Sequence, residues 1–228
     1  IDLPFMPCDE EFVISSTGAL DLESLPKSVA IVGGGYIGLE LGCALAKLGS
    51  KITVVEGMSS VLAIMDKEIR RPLEMWLKKH KVTVHTDSLA RGVEIKGRGA
   101  SKKAELTFEK DGTEHKVKVD KVLVTVGRKP NTKGWGLENT GIRMDGSGRF
   151  IRTDRQCRTS VPGVYAIGDV SGEPMLAHKA SAEGEMVAEI IAGQKREFDK
   201  IAIPAIVFTE PEIVSVGLTP DEAKERGE

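Results

Sequence analysis

The sequence predicts an α/β protein: a parallel sheet carrying an inserted antiparallel meander. Three observations carry that expectation. Short, β-branched apolar runs at 28–32, 51–56 and 121–126 lack the alternation of a half-solvated strand. A stretch with helical spacing fills the gap after each of the first two. Between Arg91 and Val119 the pattern changes to alternation, with glycine turns at 97, 99 and 112.

The elements follow in order. Leu3-Pro4-Phe5-Met6-Pro7 cannot be helical, because proline bars the residue before it from the α region; residues 1–26 are therefore expected to be a lead-in. Ser28 to Val32 is the first buried strand. Gly33 to Gly38 opens a helix reaching about Leu48, and Gly49 stops it. Lys51 to Glu56 is the second strand, completing a right-handed βαβ unit. A second helix is expected from Asp66 to His80, with Ile69, Leu73, Trp76 and Leu77 on one face. Pro72 leaves two alternatives there: a kinked helix, or one that starts at Arg71-Pro72. Val82 to His85 is the third strand, the meander follows, and Lys121 to Val126 returns to the parallel sheet. Residues 128–163 are rich in turn residues. Val164 to Ile167 reads as a buried strand ending at Gly168-Asp169. Leu176 to Ala192 reads as a helix with Ala177, Gly184, Ala188 and Ile191 aligned. Ile201 to Phe208 begins a further apolar strand, and Thr219-Pro220 is a helix start.

Composition narrows the function. Of 228 residues, 40% are apolar and 29% charged, with a net charge of −2. That balance gives no electrostatic case for nucleic acid or an anionic membrane as partner. The longest stretch without a charged residue, Ser28 to Leu39, is 12 residues; a spanning helix needs about 20, so no membrane segment is expected. Asp2, Asp9, Glu10 and Glu11 precede the first basic residue, Lys27, which is the reverse of a signal peptide. Cys8, Cys43 and Cys157 lie 35 and 114 residues apart and suggest neither a disulfide framework nor a metal site. The chain starts at Ile1 and ends soon after a helix start, so it is expected to be a piece of a longer protein.

The chemistry sits in the glycine loop. Gly33, Gly35 and Gly38 form a GxGxxG pattern that follows a buried strand and opens a helix. The first allows the tight turn, the second lets backbone approach a pyrophosphate, and the third lets helix and strand pack closely. The helix N-terminus then offers free N–H groups and a positive dipole end. Glu56, 18 residues after Gly38, ends the second strand. An acid there accepts from ribose hydroxyls and repels a 2′-phosphate, which favours NAD over NADP. The expectation is a Rossmann-like dinucleotide site. Glu40, among apolar neighbours one turn into the helix, has either a partner or a functional role, or is a carboxylate near the positive helix end. Tyr36 either shields a nicotinamide pocket or simply packs.

Further motifs carry a resemblance. Gly127-Arg128-Lys129-Pro130-Asn131, Val164-Tyr165-Ala166-Ile167-Gly168-Asp169 and Pro174-Met175-Leu176-Ala177-His178-Lys179-Ala180 are similar to segments of the flavin-dependent pyridine nucleotide–disulfide oxidoreductases. With Gly33 to Glu40 and Thr209 to Gly217, they resemble the branch that oxidises dihydrolipoyl groups. The resemblance implies that Gly33, Gly34, Gly35, Tyr36, Ile37, Gly38, Leu39 and Glu40 line the NAD path. It places Glu56 on the adenine-side ribose and gives Ala90 and Gly127 backbone contacts to NAD. Asp169, Met175, Leu176, Ala177 and His178 would contact FAD. Glu40 would stand near the flavin and nicotinamide rings, as the one catalytic candidate. Implied domains are 1–26 (lead-in), 27–128 (NAD-binding), 129–200 (part of the FAD-side central region) and 201–228 (the start of an α+β interface domain). Implied partners are the dihydrolipoyl groups of 2-oxoacid dehydrogenase complexes and, for the whole enzyme, a second copy of itself in a homodimer. The location implied is cytoplasm or mitochondrial matrix.

Three family features are absent from the sequence: a second GxGxxG, a CxxxxC redox pair and a C-terminal His-Glu base. The chain alone is therefore expected to be inactive. The alternative is a free-standing dinucleotide-binding module or split-enzyme subunit with no catalysis of its own.

Overall fold

The computed structural model describes residues 1–199 and 202–227. The chain divides into two compact units, Ile1–Gly127 with Ile206–Glu228, and Arg128–Ala205.

The first unit is built on strands buried from both sides. Its elements are β1 (Val13–Ile14), α1 (Ser16–Leu20), β2 (Ser28–Val32), α2 (Tyr36–Leu48), β3 (Lys51–Val55), α3 (Lys67–Lys79), β4 (Thr83–His85), β5 (Ser88–Lys96), β6 (Lys103–Lys110), β7 (Thr113–Val119) and β8 (Lys121–Val124). The parallel sheet runs β1-β8-β2-β3-β4, and β5-β6-β7 form a separate antiparallel sheet.

β2 shows why its sequence does not alternate. Ala30 and Val32 pack with Ala104, Leu106 and Phe108 of the meander. Ile31 faces the other way, where a Cβ on Gly42 of α2 would sit 2.7 Å from its Cδ1. Both faces are dry from Val29 on, so Val29 to Val32 are all apolar. β6 does alternate: Ala104, Leu106 and Phe108 are buried while the residues between them are only half-buried.

α2 ends at Gly49, which takes the left-handed conformation at φ 108° and donates to Ala46 and Leu45 carbonyls. α3 settles the alternatives left by Pro72: the helix starts at Lys67 and runs through it, because the Asp66 side chain caps the end by accepting from Glu68 N. Within the predicted lead-in, two elements escape the sequence reading. Two-residue β1 adds an edge strand beside β8, and Ser15 caps α1.

β9 (Ala205–Val207) and β10 (Ile213–Ser215) pair as a two-stranded sheet, and α5 (Pro220–Arg226) follows with Thr219 and Glu222 in a reciprocal cap. The predicted strand from Ile201 begins outside the described residues, as does the predicted boundary between 200 and 201.

The second unit consists of turns and one long helix, α4 (Ala177–Ile191). One expectation fails here. Val164–Ile167 is not a strand: Tyr165 makes one isolated bridge to Arg158, and Val164 and Ile167 are exposed. A strand needs a continuous ladder, and these residues bond instead to the nearby turn, with Ala166 N donating to Cys157 O. The helix α4 is where it was expected, but the aligned residues Ala177, Gly184, Ala188 and Ile191 are not its buried face. That face is Lys179, Glu183, Met186, Val187 and Ile190, while Ile191 is 69% exposed. The two stripes are offset by two residues, about 200° around a helix.

Candidate functional site

In the first unit, β2 delivers the chain into the loop Gly33-Gly34-Gly35 at the carboxyl end of the sheet. Gly33 has φ 105°, and a Cβ on it would lie 2.5 Å from Thr125 O. Only glycine meets both demands. A Cβ on Gly38 would overlap the Gly33 carbonyl oxygen and lie 2.5 Å from Thr125 Oγ1, the close helix–strand approach expected of the third glycine. Around Gly35 the space is different: nothing lies within 4 Å of a built Cβ. Gly35 is also the cap residue of α2 and has no side chain to satisfy the first-turn amides. Tyr36, Ile37, Gly38 and Leu39 form that first turn. The Leu39 amide bonds to Gly35 O, and the loop borders open space at the helix N-terminus, which suits an anionic phosphate group.

Glu56 closes the loop. Its Oε2 accepts from Gly34 N and its Oε1 accepts from Met58 N at 2.7 Å. Each carboxylate oxygen accepts one of these backbone N–H groups and has a second lone pair. The acid expected for a ribose therefore also fastens the glycine loop. Leu62 N donates to Gly34 O at 2.9 Å and Thr125 Oγ1 to Gly33 O at 3.0 Å, completing the frame. Thr125 and Met58 were not among the sequence candidates. Their contributions run through an adjacent strand and a backbone amide, and neither leaves a motif.

Glu40 is half-buried on α2, and its Oε1 accepts from Phe208 N at 2.8 Å. The carboxylate among apolar neighbours thus has a partner, which no local pattern could reveal. Ala90 lies opposite Phe108 in β5, beside a register shift between Ala90 and Gly92. Gly127 has φ 125° and its carbonyl accepts from the Ile1 nitrogen at 2.9 Å.

In the second unit, Asp169 lies on the tight turn Gly168–Ser171, and Arg128 Nη2 pairs with its Oδ2 at 2.9 Å. Met175 precedes α4, Leu176 is its cap residue, and Ala177 and His178 begin it. The ring of His178 bonds through Nε2 to Pro204 O at 2.9 Å. Lys179 and Glu183, buried beneath the turn, were not among the sequence candidates, because no local pattern marks a charged residue as buried.

A family model described as pyridine nucleotide-disulphide oxidoreductase matches residues 6–184. The chain is 47% identical over 228 residues to a dihydrolipoyl dehydrogenase of Bacillus subtilis, covering all of this chain and 47% of that protein. It is 47% identical over 227 residues to one of Pseudomonas aeruginosa, again covering 47% of the relative. Among solved structures, LpdA from Mycobacterium tuberculosis matches with a TM-score of 0.87 at 31% identity, over 99% of this chain and 48% of that one. The HOCl-induced flavoprotein disulfide reductase RclA from Escherichia coli matches at 0.84 and 28% identity, over 99% of this chain and 51% of that one. The chain spans about half the length of the relatives it matches.

Proposed function

The chain belongs to the pyridine nucleotide-disulphide oxidoreductase family, and from that premise we propose that it is the NAD-binding portion of a flavin-dependent dihydrolipoyl dehydrogenase. The whole enzyme oxidises dihydrolipoyl groups of 2-oxoacid dehydrogenase complexes through a disulfide and FAD, and reduces NAD. On this reading residues 27–128 bind NAD, 129–200 contact FAD, and 201–228 begin the interface domain of a homodimer in the cytoplasm or mitochondrial matrix.

The observation that carries the proposal is the pairing of Glu56 with the glycine loop beside the open space at Gly35. The Gly35, Ile37 and Gly38 amides hold a pyrophosphate, and Leu39, whose amide bonds to Gly35 O, lines the path. The Glu56 carboxylate accepts from ribose hydroxyls while still anchoring Gly34 and Met58. Ala90 and Gly127 add backbone contacts, and Tyr36 and Glu40 border the nicotinamide. Bound NAD supplies the hydride acceptor. On the flavin side, Asp169 accepts from a ribityl hydroxyl, and Met175 to His178 pack against the same cofactor.

The test is a titration of NADH and NADPH into the chain and into Glu56→Ala. A 2′-phosphate brought beside a carboxylate costs Coulomb energy and leaves an acceptor unpaired. NADH is expected to bind on the order of tenfold tighter, a difference of about 1.4 kcal/mol, and Glu56→Ala is expected to shrink the ratio. Equal affinities in the unmutated chain overturn the assignment.

A further inference from the structure

Lys179 and Glu183 are the two most deeply buried ionisable residues among those described, 1% and 0% exposed. They lie one turn apart on α4, with Nζ 3.5 Å from Oε1. Each also reaches the same short turn. Lys179 Nζ donates to Gly172 O at 2.8 Å and to Gly168 O at 3.3 Å. Glu183 Oε2 accepts from Gly168 N at 2.7 Å and lies 3.4 Å from the Ser171 hydroxyl. Both ends of the turn Gly168–Gly172 are thereby tied to α4. Within the turn, Ser171 Oγ donates to Gly168 O at 2.9 Å. A Cβ on Gly168 would lie 3.0 Å from Ala180 Cβ, so the turn sits hard against the helix. Asp169, the second residue of the turn, is partly exposed and directed outward to Arg128.

A buried ion pair is a poor device for stability alone. Desolvating two charges costs as much as their attraction returns, and two apolar side chains of similar volume do as well or better. Apolar residues could not do what this pair does, which is to supply a donor to two carbonyls and an acceptor to an amide in one turn. We propose that Lys179 and Glu183 are positioning residues that fix the Gly168–Gly172 turn and so hold the Asp169 carboxylate ready for the flavin ribityl chain. The last clause rests on the flavin reading above; the fixing of the turn does not.

The test uses the 228-residue chain, its Glu183→Gln variant, and the double variant Lys179→Met/Glu183→Leu. Three quantities are read: the Gly168 amide proton resonance, hydrogen exchange across residues 166–173, and FAD affinity by equilibrium fluorescence titration. A backbone amide bonded to a carboxylate has a characteristic shift, and it is expected to move in Glu183→Gln, which keeps the shape. The double variant is expected to keep its Tm within about 5 °C, while exchange at 168–172 rises on the order of tenfold and FAD binds correspondingly more weakly. Unchanged protection of 168–172 in the double variant overturns the proposal. So does loss of protection spread evenly through 128–199 in both variants, which would make the pair purely structural. Asp169→Ala separates the two readings. If it leaves FAD affinity unchanged, the flavin contact is wrong, and the exchange data still decide whether the pair holds the turn.

Discussion

Glu40 Oε1 accepts the backbone N–H of Phe208 at 2.8 Å, joining residues 168 positions apart. Seven residues along α2, Lys47 pairs with Glu210 at 2.7 Å. Segment 208–210 thus lies along one face of α2. The two links are unequal. Lys47 and Glu210 are each more than half exposed, so solvent screens that pair to little net value. Glu40 offers a charged acceptor to a backbone amide, a stronger kind of bond. A residue expected to serve the nicotinamide side therefore also has an architectural duty, and the two must be separated by experiment.

Glu40→Ala is expected to destabilise the first unit by about 1.5–3 kcal/mol, the usual loss for a hydrogen bond to a charged group. Lys47→Ala should cost less than about 1 kcal/mol. Urea unfolding of both variants checks this. Exchange of the 206–212 amides should rise in the first variant and hardly change in the second.

The glycine loop permits a sharper separation of fold from ligand. Gly35→Ala meets open space and an extended backbone at φ −78°, ψ −179°. It should cost no more than about 1 kcal/mol of stability, the difference between glycine and alanine at a helix cap, yet weaken NADH binding on the order of tenfold, because the new methyl occupies the phosphate approach. Gly38→Ala meets Gly33 O and Thr125 Oγ1 and should lose about 1–3 kcal/mol of stability by overpacking. Thermal unfolding and NADH titration of both variants must show this crossed pattern. Equal stability losses would mean that the loop around Gly35 is not an open approach.

Much of this site was legible because its constraints are local. A φ near +105° at Gly33 and the crowding at Gly38 admit only glycine, so the requirement is written into residue type at fixed spacing. The doubly covered run Val29–Val32 of β2 was legible for the same reason, since burial on two faces disfavours polar residues. Other features had no local trace. β1 is two residues long, too short to carry a period. The Glu40–Phe208 bond depends on chain return from a distance. The inner face of α4 could not be read from hydrophobicity. Ala177, Gly184 and Ala188 are apolar enough to suggest a core stripe, yet the stripe that is buried includes an ion pair whose satisfaction depends on turn carbonyls. Val164–Ile167 has strand composition, but composition does not supply a partner strand.

Stability should also fall in acid through two carboxylates of the first unit. Burial alone would raise the Asp120 carboxyl, but the Lys103 ammonium and the hydroxyl and amide of Ser28 outweigh it and hold it below the usual range. Burial likewise opposes the charge on Asp9, and the amides of Val13, Phe12 and Glu11 outweigh it. A carboxylate held low in the folded state adds stability above its unfolded pKa of about 3.9. That stability is lost as pH falls through the folded value. Urea midpoints measured downward from neutral pH should therefore drop below about pH 4. Asp120→Asn should lower the midpoint at neutral pH and flatten the acid limb; an unchanged limb would remove Asp120 from the account.

The 228-residue chain alone should not oxidise dihydrolipoamide. Electrons leaving a dithiol need an acceptor disulfide, and the sequence has three cysteines with no CxxxxC spacing. No disulfide forms among the described residues: Cys43 and Cys157 are buried and Cys8 is half-buried. Their chemistry is unsuited to the task as well. Burial is the leading cause that pushes the Cys8 and Cys43 thiols up, with neighbouring carboxylates adding to it, so little thiolate is present near neutral pH. On the proposed reading Gly33–Leu39 and Glu56 hold the hydride acceptor, but those residues supply no donor. NADH absorbance is followed with dihydrolipoamide and added FAD at high protein concentration. A blank-level rate is expected, beside clear NADH binding by the same sample. A rate above the blank that disappears in Glu40→Ala would show that this chain completes the electron path by itself, and would overturn its assignment as the NAD-binding portion.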